Sequence, residues 1–344
     1  MLFKRLRSIL LPLAMSLPLS VLAGPFSSLV VFGDSLSDTG NLATANAVAN
    51  SLPVPTLPPI GVGFNGPYYQ DSRLSNGPVW IESLATGLGL ASEAAPALQG
   101  GNNYAFAGAR TGVIGSPPGV LAQAVGLWGP GYAPWGLTPH LSADPNALYV
   151  VVGGGNDMRD ARSLYTGMTP ADVTGRAAAA AAAIGNLANT IGYLASMGAK
   201  NILISTLPNL GASPEANFLN LQAASSDASV RFNTLIQSAL MSGGAALGLH
   251  MYLLDMAGLF DSILANPLSF GITNTSLPCD GFEFSAGASC AASLFADVLH
   301  PSAYAHALIA SAALAVLGVP EPDSLALVGL ALLVLLVAHR RRAA

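Results

Sequence analysis

The stretch Val30-Val31-Phe32-Gly33-Asp34-Ser35-Leu36-Ser37-Asp38-Thr39-Gly40-Asn41 decides how the rest of the chain is read. Leu29–Phe32 is a short, continuous apolar run that stops at a glycine. That is the pattern of a strand buried on both faces of a parallel sheet. Ser35 stands just past the end of this strand, so its hydroxyl projects from the carboxyl edge, where α/β proteins hold their ligands. A serine after a strand also serves as the N-cap of a following helix. Taken alone, Ser35 does not choose between chemistry and capping.

The same pattern recurs along the chain. Leu148–Val152 runs into Gly153-Gly154-Gly155, and Asn201–Ser205 and His250–Asp255 are further strand candidates. Between them lie helical stretches: Ala177–Met197, alanine-rich and ending before Gly198, and Val230–Met241. Pro301–Leu317 reads as the last helix, with Pro301 in its first turn. Strands alternating with helices predict an α/β class with a parallel sheet covered on both faces. No fixed-period repeat is present. Asn46–Gly66 is rich in Pro, Gly and Asn and reads as a long loop. Gly112–His140 has the same character, with Trp128, Tyr132 and Trp135 scattered through it. Such segments either wall a substrate cleft or are plain surface connections.

Composition narrows the function. The chain has 344 residues, 52% of them hydrophobic and 9% charged, with a net charge of −5 and a mean hydropathy of +0.53. This is neither a disordered chain nor a basic nucleic-acid binder. The ends distort the average. Lys4, Arg5 and Arg7 precede an apolar run from Ile9 to Leu22, and Val21-Leu22-Ala23 supplies the small residues a signal peptidase reads. Residues 1–23 are therefore expected to be a signal peptide. An N-terminal anchor is the alternative, but the run is short and broken by Pro12 and Pro18.

At the other end, Val319-Pro320-Glu321-Pro322 precedes the apolar Ser324–Ala338 and the basic His339-Arg340-Arg341-Arg342. That is a rigid break, a short hydrophobic helix and a positive stop. Without these ends, residues 24–318 carry 7 bases against 16 acids. Such a surface repels anionic lipid and polyanions. Cys279 and Cys290 bracket a Gly/Ser-rich stretch and, in an exported protein, are expected to form one disulfide rather than remain two free thiols. His140, His250 and His306 read as structural or surface residues. Only His140 has an acid at helical spacing, Asp144, and no third ligand follows, so neither a metal site nor a cofactor is expected.

The whole run FGDSLSDTGN, residues 32–41, resembles block I of the GDSL (SGNH) hydrolase family. Gly101–Ala109 is similar to block II, Gly154-Gly155-Asn156-Asp157 to block III and Asp297-Val298-Leu299-His300-Pro301 to block V. Arg73–Trp80 also resembles a family segment, although Leu74 replaces its usual aromatic, and Gly198–Lys200 and Leu207–Gly211 fit as well. The resemblance spans Leu29 to Leu317 in chain order.

It implies a single domain over residues 24–318 with a three-layer α/β/α, flavodoxin-like SGNH fold and a short parallel sheet. It also implies that Ser35 is the nucleophile, His300 the general base and Asp297 its orienting partner. The oxyanion would be held by the Ser35 and Gly108 N–H groups and the Asn156 side chain. If Pro301 opens a helix, His300 sits at its positive end, which helps keep the imidazole neutral.

The implied activity is hydrolysis of a carboxylic ester, carrying an acyl chain or an acetylated sugar, through an acyl-enzyme. Acyl transfer on the same site and a non-catalytic surface or biofilm-matrix role are the alternatives. Residues 319–344 resemble the PEP-CTERM sorting signal of Gram-negative bacteria. That implies export to the periplasm, cell surface or extracellular matrix, processing by an exosortase as well as signal peptidase, and transient inner-membrane association through the C-terminal helix. The alternative is a plain C-terminal anchor.

Overall fold

A computed structural model of the chain describes residues 24–51, 72–113, 115, 117–130, 136–279 and 287–319. The expected signal peptide, most of the expected loop from Asn46 to Gly66, and the sorting helix lie outside the described residues. In chain order the elements are β1 (Leu29–Phe32), α1 (Asn41–Ser51), α2 (Trp80–Gly87), α3 (Val120–Ala122) and β2 (Leu148–Val151). Then come α4 (Gly155–Leu164), α5 (Pro170–Met197), β3 (Asn201–Ser205), α6 (Pro214–Phe218), α7 (Gln222–Leu235) and α8 (Ser242–Ala246). The chain finishes with β4 (His250–Leu254), α9 (Met256–Ala265), β5 (Asn274–Pro278), β6 (Ser293–Phe295) and α10 (Ala303–Val316).

The main sheet has the order β1-β2-β3-β4, all parallel, with Leu29 opposite Leu148 and Leu148 opposite Asn201. A fifth, extended segment lies along the free edge of β1. The Val31 N–H donates to Asn102 O (3.0 Å), and the Tyr104 and Phe106 N–H groups donate to Val31 O and Gly33 O (2.7 and 3.1 Å). The chain thus leaves β1 for one edge and returns past it to β2. The order reverses at β1, which makes the carboxyl end of β1 the switch point where α/β sheets open a crevice.

Alternation along each strand builds the layers. Val30, Phe32, Tyr149, Val151, Ile202 and Ile204 face one side and pack with Leu187 and Ile191 of α5 and Phe232 of α7. Leu29, Val31, Leu148, Val150 and Leu203 face the other and pack with Trp80 and Leu84 of α2 and Ile309 of α10. The result is a three-layer α/β/α domain whose β1 and β2 are buried at every residue. Each such Leu, Val or Phe contributes about 1.5–3 kcal/mol over leaving it exposed.

Some details differ from the sequence reading. Residues 46–51, expected to open a loop, instead finish α1. α5 begins at Pro170 rather than Ala177, because Thr169 caps it and exchanges bonds with Asp172 in a capping box. α10 begins at Ala303, because the Ser302 hydroxyl caps it by accepting the Ala305 N–H. Pro301 instead lies in a bridge to Phe295. The Gly112–His140 segment is not a wall of the cleft at Trp128. α3 runs on into a π-helical turn, Gln123–Trp128, and the Trp128 indole stacks on His140 and meets Phe32 and Tyr149 edge-on inside the core. Tyr132 and Trp135 lie outside the described residues. The short parallel pair β5–β6 adds to the α10 side, and the Cys279–Cys290 disulfide closes the connection between its two strands.

Candidate active site

The turn after β1 is built to hold one hydroxyl still. The Ser37 and Asp38 N–H groups both donate to Asp34 O at 3.0 Å, which makes the chain turn tightly around Ser35. Gln123, fully buried, clamps the turn from below. Its Oε1 accepts the Gly33 N–H (2.8 Å) and its Nε2 donates to Gly33 O (2.9 Å). The Asp38 carboxylate accepts the Gly40, Asn41, Leu42 and Ala107 N–H groups, so it ties the turn to the 102–109 segment. The Asn103 Nδ2 donates to Ser37 O, and the Trp80 indole N–H donates to Ser37 Oγ.

Across 265 positions of sequence, His300 Nε2 comes to 2.9 Å from Ser35 Oγ. Its Nδ1 is 2.6 Å from Asp297 Oδ2. The other carboxylate oxygen, Oδ1, accepts the Leu299 and His300 N–H groups at 2.7 and 2.5 Å. With a carboxylate on Nδ1, the proton sits there, and Nε2 offers its lone pair to the Ser35 hydroxyl. Ser35, Asp297 and His300 are only 7%, 5% and 4% exposed. Burial pushes the Asp297 carboxyl up, but the charge and hydrogen bonds of His300 and the Leu299 N–H outweigh it, and the group falls below the ordinary Asp range. His300 stands two residues before the Ser302 cap, so Pro301 does not open α10 and His300 is not at its N-terminus as the sequence suggested.

Asn156 is the second residue of α4 and nearly buried. Its Nδ2 donates to Ala109 O at 3.0 Å, and its Oδ1 accepts from Arg159 Nη1 at 3.2 Å. Gly108 has φ +83°, a left-handed conformation that favours glycine, inside the turn closed by Ala109 N–H to Phe106 O. Among the described residues no acceptor takes the Gly108 or Ser35 N–H. Ser35, Asn156 and His300 line one cleft of about 70 Å³, open to solvent at the carboxyl ends of the strands. Gly108 is beside it in the chain of contacts, through Ala109, but is not among the lining residues. Leu207, Met256, Phe260, Phe295, Leu299 and Ile309 form an apolar wall.

Other groups at the site were given no role by the sequence reading. The Asp34 carboxyl faces the cleft and is raised from 3.8 to about 6, chiefly because burial strips its solvation while only the Leu36 N–H bonds to it. Arg159, three residues after Asn156 on the same helical face, also lines the cleft. That spacing was the one available signal for it. His306 is buried, and its Nδ1 accepts the Trp80 N–H at 3.2 Å. Burial first, and then the nearby His300 charge, pushes it down to about 3. His140 and His250 are exposed. Among the described residues no group of three or more His, Cys, Asp or Glu side chains could hold a metal ion.

Comparison with known proteins fits this geometry to a lineage. A family model described as GDSL-like Lipase/Acylhydrolase matches residues 29–313, and a PEP-CTERM protein-sorting motif matches residues 318–342. An uncharacterized protein in the trpE-trpG intergenic region of Pseudomonas putida is 31% identical over 333 residues, covering 86% of this chain and 49% of its own. The phosphatidylcholine-sterol acyltransferase of Aeromonas hydrophila is 30% identical over 270 residues, covering 75% of this chain and 67% of its own. Esterase EstA of Pseudomonas aeruginosa is 34% identical over 267 residues, covering 72% of this chain and 38% of its own. The chain thus spans about half the length of the first of these relatives and less of EstA.

Proposed function

The chain belongs to the GDSL-like lipase/acylhydrolase family, and from that premise we propose that it is an exported serine hydrolase of carboxylic esters working through an acyl-enzyme. The observation that carries the reading is the 2.9 Å approach of His300 Nε2 to Ser35 Oγ, with Asp297 on the opposite ring nitrogen. Ser35 Oγ attacks the ester carbonyl as His300 takes its proton. Asp297 holds the imidazole in the reactive tautomer and stabilises the imidazolium. The negative oxygen is received by the Ser35 and Gly108 N–H groups and by Asn156 Nδ2, each donor lowering the barrier by about 3–4 kcal/mol. His300 then protonates the leaving alkoxide. Water, deprotonated by His300, attacks the acyl-enzyme and releases the acid.

The apolar wall suits the acyl side of the ester. A second reading has a specific observation behind it: similarity to a protein named an acyltransferase. In that case an alcohol replaces water in the second step and the same residues act. The sorting motif supports export from a Gram-negative cell and processing by an exosortase at the C-terminus. The body proposed for the mature enzyme is residues 24–318. No helix among the described residues is long and apolar enough to cross a membrane. The segment proposed to associate with the inner membrane, 319–344, is not among those residues, apart from Val319.

The test is hydrolysis of p-nitrophenyl esters from acetate to palmitate, with and without added alcohol, beside Ser35→Ala. Loss of activity and of fluorophosphonate labelling in the variant is the expected result. Ester formation that outpaces acid release would favour the acyltransferase reading. Equal rates in both proteins would remove Ser35 from the mechanism, and a folded wild type that neither turns over nor labels would leave only the surface-protein role.

A further inference from the structure

We propose that Arg159 is a positioning residue: it fixes which end of the Asn156 amide faces the reacting carbonyl, and through Glu215 it couples that amide to the His300 loop. The proposal rests on the reading of Asn156 as an oxyanion donor. An asparagine's oxygen and nitrogen have nearly the same shape, so only the partners decide which way the amide points. Two partners decide here. Ala109 O requires a donor and takes Nδ2, while Arg159 Nη1 requires an acceptor and takes Oδ1. Both choose one orientation, and they leave a single Nδ2 hydrogen for a substrate oxygen. A flipped amide would set oxygen against oxygen at Ala109 and nitrogen against guanidinium at Arg159. The Arg159 bond also polarises the amide, which makes its remaining N–H a stronger donor.

Arg159 is itself held in place. Its Nε and Nη2 engage both oxygens of Glu215, the planar two-point pairing in which arginine is least free to move. Glu215 also accepts from Arg162, which is buried and donates to Ser225 on α7. Burial opposes ionisation of Glu215, but the two guanidinia outweigh it and keep the group below its ordinary range. The Glu215 backbone N–H donates to Val298 O at 2.7 Å, between Asp297 and His300. One carboxylate residue therefore grips the arginine that orients Asn156 and the loop that carries the general base.

Two guanidinia share this carboxylate. On the cleft side Arg159 is 31% exposed and lines the cavity with Asn156, Ser35 and the Asp34 carboxyl. Arg159 is not needed to hold α4. The Arg162 bonds to Glu215 and Ser225 already join α4 to α6 and α7.

The experiment is a double-mutant cycle on ester hydrolysis, with Arg159→Met, Asn156→Ala and the pair, and Ser35→Ala as the control for the underlying mechanism. Arg159→Met is expected to lower kcat about 10-fold with KM changed less than about twofold, the signature of an interaction made in the transition state. In the Asn156→Ala background the same substitution is expected to change kcat less than about twofold, because the group it acts through is gone. Arg159→Lys keeps the charge without the two-point pairing and is expected to fall between wild type and Arg159→Met. It also serves if Arg159→Met does not fold.

Equal losses in the two backgrounds would overturn the proposal and make the role structural. A raised KM with unchanged kcat would overturn it too, and make Arg159 a substrate-binding group. Activity surviving in Ser35→Ala would instead sink the underlying serine mechanism, whatever the cycle shows.

Discussion

Asp34, which lines the cleft, and Asp297, bonded to His300 behind it, are both buried carboxyls, and their surroundings push them in opposite directions. Asp297 has the His300 ring and two backbone N–H groups, all of which favour the anion, and it falls below the usual range. Asp34 has one backbone N–H, and burial raises it to about 6. A carboxyl raised on folding holds its proton more tightly in the native state, so native protein binds more protons than unfolded protein between 3.8 and about 6. Its stabilising contribution is full below pH 3.8 and is lost as pH rises through about 6. Asp34→Asn keeps an acceptor for Leu36 and cannot ionise. At pH 7 it is expected to be more stable than wild type by up to about 3 kcal/mol, with the difference vanishing toward pH 4. Melting temperature against pH checks this, and parallel curves would refute it. Asp297→Asn should act on rate instead. The ring then loses the partner that fixes its tautomer, and kcat is expected to fall on the order of 10²–10⁴-fold with little change in KM. The residues with motif signatures, Ser35, Asn156, Asp297 and His300, were legible because each sits in a short punctuated stretch at a strand end or before a helix. Arg159 and Gln123 were not, because what they do depends on partners 56 and 90 positions away.

At the scale of elements, the start of α4 is the tightest joint in the site. Gly154 has φ +110°, and a Cβ there would lie 2.4 Å from Cε2 of the buried Phe232 ring. Gly154→Ala meets both penalties at once, a left-handed backbone and a collision with the core. It is expected to cost about 2–3 kcal/mol of stability, measurable by urea unfolding. It should also lower kcat more than it raises KM, since Asn156 follows two residues later. A variant with wild-type stability would mean that the α4–α7 contact yields easily. The four strands of the main sheet were readable because each is an apolar run of strand length that ends at a loop signal. β5 and β6 were not: Asn274-Thr275-Ser276-Leu277-Pro278 and Ser293-Leu294-Phe295 are short and show no alternation. The helix starts moved for a related reason. α5 and α10 begin where Thr169 and Ser302 cap them, and side-chain caps outrank the alanine content or the proline that first draws the eye.

At the scale of the molecule, every residue lining the cleft lies between Asp34 and Ile309, and the layer that supports it closes with α10. Ile309, Ala313, Leu314 and Leu317 are buried in the same core as Trp80 and Leu84, and Leu314 occupies the space where a Cβ on Gly87 would go. We propose that the folded body ends at the turn around Gly318, where φ is +70° and a left-handed residue ends the helix. The fold therefore predicts a sharp difference between two truncations. Protein spanning residues 24–318 loses the proposed leader and sorting segment and, of the described core, only the partly buried Val319. Its kcat/KM on a soluble ester is expected to stay within about twofold of the longer chain. Protein ending at residue 308 loses the buried apolar side chains of Ile309, Ala310, Ala313, Leu314 and Leu317 from the α2–α10 layer, at about 1.5–3 kcal/mol for each large one, and is expected not to fold. Circular dichroism and turnover of the two, side by side, check this. Loss of activity in the 24–318 protein would show that residues outside that span complete the enzyme. A folded, active shorter one would show that α10 does not anchor the loop that carries His300.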